Sequence, residues 1–318
     1  MLGPPEQFQI PPELQELILN KRCVAFVGSG LSAGIYPDWV DLVNGLCETC
    51  GSKLRVNADS PTDDFLDAAQ DAKDRSDTGY FTFLGETFGR PATHTSLLYN
   101  AILALPFQSY LTVNLDPLLL LQTRTRSNPA GAEFHVYPSL DRKTMINQTI
   151  YYLHGFIEEG TIPTNGTIVL SRDEFFRAYR SNGTLMSFLV QTLENDPIVF
   201  IGCRLREPVM TEVFGICKEH QLERQRLSKQ AKRPSEPPPP FILLPEPEVT
   251  VSDGNIDFSQ SPHKKKEEDS YYSGMDIRVV RYPSAGRDHS ALLRTLERLA
   301  GFEPPKARYG WEGYGYGQ

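Results

Sequence analysis

An α/β fold, a mostly parallel sheet with helices on both faces, is predicted from three observations. Short unbroken apolar runs alternate with amphipathic helical segments, glycine or polar residues bound those runs, and polar residues stand at the carboxyl ends of several of them. Pro12 followed by Leu14, Leu17 and Ile18 predicts a short leading helix, with proline suited to its first turn. Cys23–Val27 reads as a first strand buried on both faces. Beyond a loop at 28–34, Trp39, Leu42, Val43 and Leu46 recur at helical spacing, and Gly51 suits the stop. Residues 62–89 are acidic and partly helical, and Leu97, Leu98, Ala101, Ile102 and Leu105 make another amphipathic helix. A helical insertion over about residues 52–108 therefore separates the first strand from the second.

Ser109–Val113 is the second strand and ends at Asn114; Asp116-Pro117 then occupy the positions they favour at the start of a Leu-rich helix. The same layout recurs where Thr149–Leu153 runs into His154-Gly155 and Ile198–Ile201 runs into Gly202, so three strand ends converge. Thr167–Leu170 is expected to be a short strand, and Ser171 with Glu174 has capping-box spacing. A long polar helix over about 207–229, strands at Phe241–Leu244 and Ile277–Arg281, and a helix over 288–299 complete one domain of residues 1–300. Residues 245–273 read as a solvated loop, and 301–318 as a Gly/Tyr-rich tail without a core.

The bulk composition narrows the function. With 318 residues, 40% hydrophobic and 23% charged, the chain is long enough for one large domain. A formal charge of −8 and a pI of 5.4 argue against a broad basic surface, so direct nucleic-acid binding is not expected. Lys264–Lys266 read as solvated charge. No stretch approaches the roughly 20 apolar residues of a membrane span, and residues 1–9 lack signal-peptide features, which points to the cytoplasm. Five scattered cysteines make no disulfide framework.

The loop Gly28-Ser29-Gly30-Leu31-Ser32-Ala33 has the G-x-G-x-x-A form of a Rossmann-like dinucleotide fingerprint. In that reading the glycines let the backbone approach a pyrophosphate at a helix N-terminus; a tight strand-to-helix turn is the alternative. A dehydrogenase also needs an acidic residue about 20 positions on, at the end of a second strand. Glu48 has the distance but falls in a helix, so hydride transfer loses its second support.

Four motifs in order resemble those of the sirtuins. Val24–Ala33 is similar to their G-A-G-x-S opening, Thr112-Val113-Asn114-Leu115-Asp116 to T-Q-N-x-D, Leu153-His154-Gly155 to the segment with the active-site histidine, and Phe200–Leu205 to the later G-T-S or G-Y-S-L segment. Ile277–Leu299 resembles the closing strand and helix, so the resemblance spans Lys21–Leu299. It implies Asn114 and His154 as catalytic residues, and Gly28, Ser29, Gly30, Ser32, Ala33, Asp116, Gly202 and Arg204 as the groups that hold NAD+.

The departures choose the branch. Deacylase sirtuins hold a zinc with two C-x-x-C pairs; here Cys47-Glu48-Thr49-Cys50 is the one pair, inside a helix, so it reads as packing and no zinc is expected. Pro37-Asp38-Trp39-Val40 lacks the arginine of P-D-F-R, and Val113 replaces the glutamine. The chain thus resembles the sirtuin-like NAD+ hydrolases of bacterial antiphage defence, which release nicotinamide and ADP-ribose. An NAD-dependent protein deacylase and a non-catalytic NAD or ADP-ribose sensor are the rival readings.

On the hydrolase reading His154, with an ordinary pKa near 6.5, acts as base on a ribose hydroxyl or water. Asn114 orients that water and the ribose. Asp116 either accepts from the nicotinamide carboxamide or caps its helix. His94 reads as a surface residue, Arg204 stands where the family has a small hydroxyl residue, and Glu246 is placed to meet the adenosine ribose. Such an enzyme must be held off until triggered, and the resemblance implies homo-oligomer assembly or a separate partner such as a helicase-like ATPase.

Overall fold

In the computed structural model, seven strands form one parallel sheet in the order β3-β4-β2-β1-β5-β6-β9. The structure describes residues 9–301 apart from 92–94, 127–132, 146–147, 182, 228–236, 247–249, 253–254, 258–259 and 285–288; His94 and the tail from 302 lie outside the described residues. The strands are β1 (Val24–Val27), β2 (Ser109–Thr112), β3 (Phe134–Val136), β4 (Thr149–Tyr152), β5 (Ile198–Ile201), β6 (Phe241–Pro245) and β9 (Arg278–Tyr282). The protein is α/β and Rossmann-like, with helices on both faces. Strand β1 shows why: Ala25 and Val27 enter one hydrophobic core while Val24 and Phe26 enter the other, as the two-residue period of a strand buried on both faces requires.

Helices α1 (Pro12–Leu19), α2 (Trp39–Thr49), α3 (Thr62–Arg75), α4 (Asp77–Phe88), α5 (Leu97–Leu103), α6 (Leu118–Arg126) and α11 (Ser290–Leu299) lie with the first core. Helices α8 (Thr184–Asn195), α9 (Pro208–Leu227) and the end of α10 (Gln260–Gly274) cover the second. The insertion between β1 and β2 is helical, with α3, α4 and α5 in it. Side-chain caps set two of its starts: Ser76 accepts from Gly79 N at 3.0 Å, and Ser96 from Tyr99 N at 3.3 Å.

A buried ion pair ties the insertion to the rest. Lys73 of α3 donates to Glu174 at 2.7 Å, with side chains 9% and 1% exposed. Tyr80 of α4 donates to the other oxygen at 3.0 Å, and that oxygen also accepts from Ser171 N at 2.9 Å and Leu170 N at 3.1 Å. Glu174 lies in α7 (Arg172–Phe176), which opens just after Ser171. One carboxylate therefore joins two insertion helices to the start of α7.

Two sequence expectations are corrected. Thr167–Leu170 is not a strand: Val169 N donates to His154 O at 2.9 Å, bonding a turn instead of a sheet neighbour. A Cβ on Gly155, at φ +97°, would lie 2.2 Å from Thr167 O, so the close approach of this segment explains that glycine. Residues 245–273 are not a continuous loop. They contain an antiparallel hairpin, β7 (Thr250–Ser252) with β8 (Asn255–Asp257), and then α10. Helix α10 is polar along most of its length, but Tyr272 is buried at its end, and Glu268 and Asp269 bind the almost fully buried Arg281 of β9 at 3.0 and 2.7 Å. Among the described residues no helix is long and apolar enough to cross a membrane.

Removing one partner of a buried ion pair leaves the other charge without compensation. Lys73→Met is expected to lower unfolding stability by about 3–5 kcal/mol, read as the urea midpoint; an unchanged midpoint would refute the tie.

Candidate active site

The parallel register aligns the motif residues. Val27 of β1 is level with Thr112 of β2 and Ile201 of β5, and Thr112 with Tyr152 of β4. Two residues further on, Ser29, Asn114, His154 and Cys203 stand at equivalent positions past the carboxyl ends of four adjacent strands. The chain moves from β1 to β2 on one side and places β5 on the other, so this edge is a topological switch point, where open α/β sheets bind ligands.

The glycines make the loops fit. Gly30 N donates to Gly202 O at 2.9 Å, and a Cβ on Gly28 would lie 2.6 Å from both Gly202 O and the Cys203 Cβ. Gly202 itself adopts φ +70°. The loop after β1 thus seats directly on the loop after β5. It continues as a 3₁₀ turn at Ser29–Leu31, and α2 begins only at Trp39, where Asp38 accepts from Asp41 N at 3.0 Å. The expected α-helix N-terminus on the glycine loop is absent because Ser32–Pro37 intervene between the 3₁₀ turn and that cap.

Behind the loop lies a buried polar chain. Ser32 Oγ donates to Asp116 Oδ2 at 2.8 Å, and Leu118 N donates to Asp116 Oδ1 at 3.1 Å. Asp116 therefore starts α6, the helix-capping alternative, and has both oxygens engaged. Burial pushes its pKa up to about 6 against the opposing pull of the Ser32 and Leu118 hydrogen bonds. With the Ser32 proton directed at the carboxylate, Ser32 Oγ accepts from Asn114 Nδ2 at 3.2 Å, and the same amide nitrogen donates to Tyr99 Oη at 3.0 Å. Both amide hydrogens are used, which leaves Asn114 Oδ1 buried without a partner.

His154 corrects an expectation. It is buried, its Nε2 is 2.8 Å from Tyr179 Oη, and Phe175 and Tyr179 meet its ring edge-on. Burial pushes its pKa down to about 3, far from an ordinary 6.5, so it is a neutral imidazole at physiological pH. Burial and the nearby Glu207 carboxylate push Tyr179 upward, so that hydroxyl keeps its proton.

One pocket brings together Ser29, Ser32, Asn114, Asp116 and His154, walled by Tyr36, Trp39, Phe88 and Val169. Gly28, Gly30, Ala33, Gly202 and Arg204 are not in its lining. The glycines support the loops, and Arg204 is exposed, with its carbonyl accepting from Tyr272 Oη at 2.7 Å. Glu246 is paired with Lys265 at 2.9 Å. Cys47 and Cys50 are buried, Cys47 Sγ donating to Ala68 O at 3.5 Å and Cys50 Sγ to Ser76 O at 3.7 Å; burial pushes the Cys50 thiol up. Among the described residues no group of three or more His, Cys, Asp or Glu is placed to hold a metal. Sequence reasoning missed Tyr36, Tyr99 and Tyr179. Tyr99 sits on the apolar face of a foreseen helix, whereas Tyr179 comes from a π-helical turn at Arg177–Ser181 that had no sequence signal.

Fold and site define a parallel α/β protein with a mostly apolar pocket at its switch point into which Ser29, Ser32, Asn114, Asp116 and His154 enter. Residues 108–278, more than half of the chain, match the family model described as SIR2-like domain, and the chain belongs to that family. The matched span includes Asn114, Asp116, His154, Gly202 and Arg204. No curated protein matches the chain. Among solved structures it is similar to one described as the structural basis for the mechanism and regulation of Sir2 enzymes, at 12% identity and TM-score 0.36 over 91% of this chain and 98% of that one. It is also similar to a mutant Sir2 homologue in complex with ADP-ribose, at 12% identity and TM-score 0.35 over 83% and 98%.

An Asp116 carboxyl held at about 6 binds its proton between roughly pH 4 and 6, where the unfolded carboxyl has lost its own. Stability from this group is therefore present below pH 4 and lost as pH rises to 6. Asp116→Asn is expected to stabilise the protein at pH 7.5 by at most about 3 kcal/mol, with the gain vanishing near pH 4; thermal unfolding across pH reads both.

Proposed function

We propose that this chain is an NAD+ hydrolase that cleaves the nicotinamide–ribose bond to give nicotinamide and ADP-ribose. The observation that carries the reading is the meeting of Ser29, Ser32, Asn114, Asp116 and His154 in one pocket at the switch point. Membership of the SIR2-like family and the order of the sirtuin-like motifs support it.

The reaction suits this largely apolar, weakly basic site, where the few polar groups are shielded from water. The C–N bond breaks with its electron pair passing to the pyridinium nitrogen, so nicotinamide leaves neutral and no strong acid is needed. A water oxygen bonds to the anomeric carbon and its proton goes to solvent. The pocket must stabilise positive charge as it develops on the ribose, and fixed acceptors and an ionised Asp116 do that without reorganising. Neutral His154 accepts a hydrogen bond from the water or a ribose hydroxyl and orients it, in place of the titrating base that an ordinary imidazole would be. The pyrophosphate lies toward the loops that carry Gly28, Gly30, Gly202 and Arg204.

Uncontrolled cleavage would exhaust the dinucleotide of the cell that makes the enzyme. We therefore assign it to antiphage defence as a cytoplasmic effector, activated by homo-oligomer assembly or by a separate partner such as a helicase-like ATPase.

Nicotinamide release from NAD+ should occur without an acyl-lysine peptide and fall about 100-fold in Asn114→Ala and in His154→Ala. Release that requires the peptide would make the protein a deacylase, and NAD+ binding without release a sensor. The rate should fall as pH drops below about 6, where Asp116 takes up its proton, and show no step from His154 between pH 5 and 8. A pH–rate profile checks both.

A further inference from the structure

The core holds the His154 ring by one edge. Its Nε2 lies 2.8 Å from Tyr179 Oη, Tyr179 is 3% exposed, and Phe175 and Tyr179 meet the imidazole at interplanar angles of 78° and 86°. Phe175 and Tyr179 pack on each other with centroids 4.5 Å apart, across the junction of α7 and the π-helical turn, an irregularity frequent at functional sites. A buried hydroxyl in so aromatic a setting is unfavourable unless it is bonded, and packing alone would be served by a phenylalanine. His154 joins the pocket lining and Tyr179 does not. The two nitrogens of an imidazole point to opposite sides of the ring, so with Nε2 spent on Tyr179 the nitrogen left for a ligand is Nδ1.

A neutral imidazole carries one ring proton, and the bond made by one nitrogen decides what the other presents. If Tyr179 donates to Nε2, the proton sits on Nδ1 and His154 offers a ligand a donor. If Nε2–H donates to Tyr179, Nδ1 keeps its lone pair. The second arrangement needs an acceptor for the phenol proton, and Glu207, on the loop past β5, is the acid whose charge bears on Tyr179. Bond cleavage also favours it: a lone pair turned toward a ribose that gains positive charge stabilises that charge, and an N–H would oppose it. We propose that Tyr179 is a positioning residue, which accepts from His154 Nε2–H, donates toward Glu207, and so leaves Nδ1 as the acceptor that orients the attacking water or a ribose hydroxyl. This inference rests on the hydrolase reading and names the nitrogen that serves it.

The test pairs solid-state nitrogen NMR of the full chain carrying isotopically labelled histidine, with His154→Ala to assign the signal, with nicotinamide release from NAD+. At neutral pH wild type should show His154 as a single tautomer with its proton on Nε2. Tyr179→Phe, which keeps the ring packing, should lose that single form, lower kcat roughly tenfold and leave KM within about twofold. Glu207→Met removes the acceptor and leaves the tyrosine, and should disturb the tautomer in the same sense; it also carries the test if Tyr179→Phe fails to fold. A merely structural Tyr179 would change stability without changing where the proton sits. A proton on Nδ1 in wild type, or an unchanged tautomer or kcat in Tyr179→Phe, overturns the role of Tyr179 and leaves the hydrolase reading intact. An unchanged tautomer in Glu207→Met overturns the part given to Glu207. Absence of release by wild type overturns the hydrolase reading and the catalytic role with it, while the spectrum still decides the tautomer.

Discussion

The carboxylate of Asp116, buried just past the end of β2, constrains the whole pocket. An ionised carboxylate only accepts, so it takes the Ser32 proton and the Leu118 amide. Ser32 must then accept from Asn114, and the Asn114 amide is turned so that its oxygen is left over. The direction of every hydrogen bond in the chain follows from one charge. The same group explains why α6 starts where it does and why the glycine loop, which carries Ser32, is anchored to the neighbouring strand end. Its desolvation is unfavourable, so the site is kept at some expense of stability, as is common where function requires a poised charge.

The strand ends share this logic. Gly28, Gly30 and Gly202 let the loops past β1 and β5 touch, with Gly30 N bonded to Gly202 O. The amide that a dinucleotide fingerprint would offer to a phosphate is used between loops here. Specific chemistry shifts accordingly toward the side chains on the β2 and β4 side, where Asn114 and His154 stand level. His154 contributes as a shaped, neutral hydrogen-bonding wall. Its burial against Phe175 and Tyr179 removes the titration that makes histidine a proton carrier at neutral pH.

Much of this was legible in the sequence, for physical reasons. β1, β2, β4 and β5 are buried on both faces, so they read as runs that are apolar apart from a Ser or Thr at the ends of β2 and β4, and a glycine or polar residue follows each run at the carboxyl edge of the sheet. Edge strand β3 is three half-buried residues and leaves no such mark. Helix α10 escaped because its anchors gather in its last turn, leaving a polar stretch that resembles a loop. The tyrosines escaped for another reason. On an apolar helix face Tyr99 looks like core, and its hydroxyl meets Ser32 across 67 residues of chain, a contact that no local pattern encodes.

The helical insertion closes the argument because it shapes the pocket from two directions. Phe88, at the end of α4, supplies apolar wall directly, opposite Trp39 of α2. Lys73 and Tyr80 hold Glu174, whose carboxylate fixes the amides of Leu170 and Ser171. Val169, one residue earlier, donates to the His154 carbonyl and lines the pocket itself. A continuous set of buried polar contacts thus runs from the insertion to the backbone of His154. Docking of α3 and α4 on Glu174 therefore bears on the backbone segment that packs against the His154 carbonyl, while the imidazole itself is held by Tyr179.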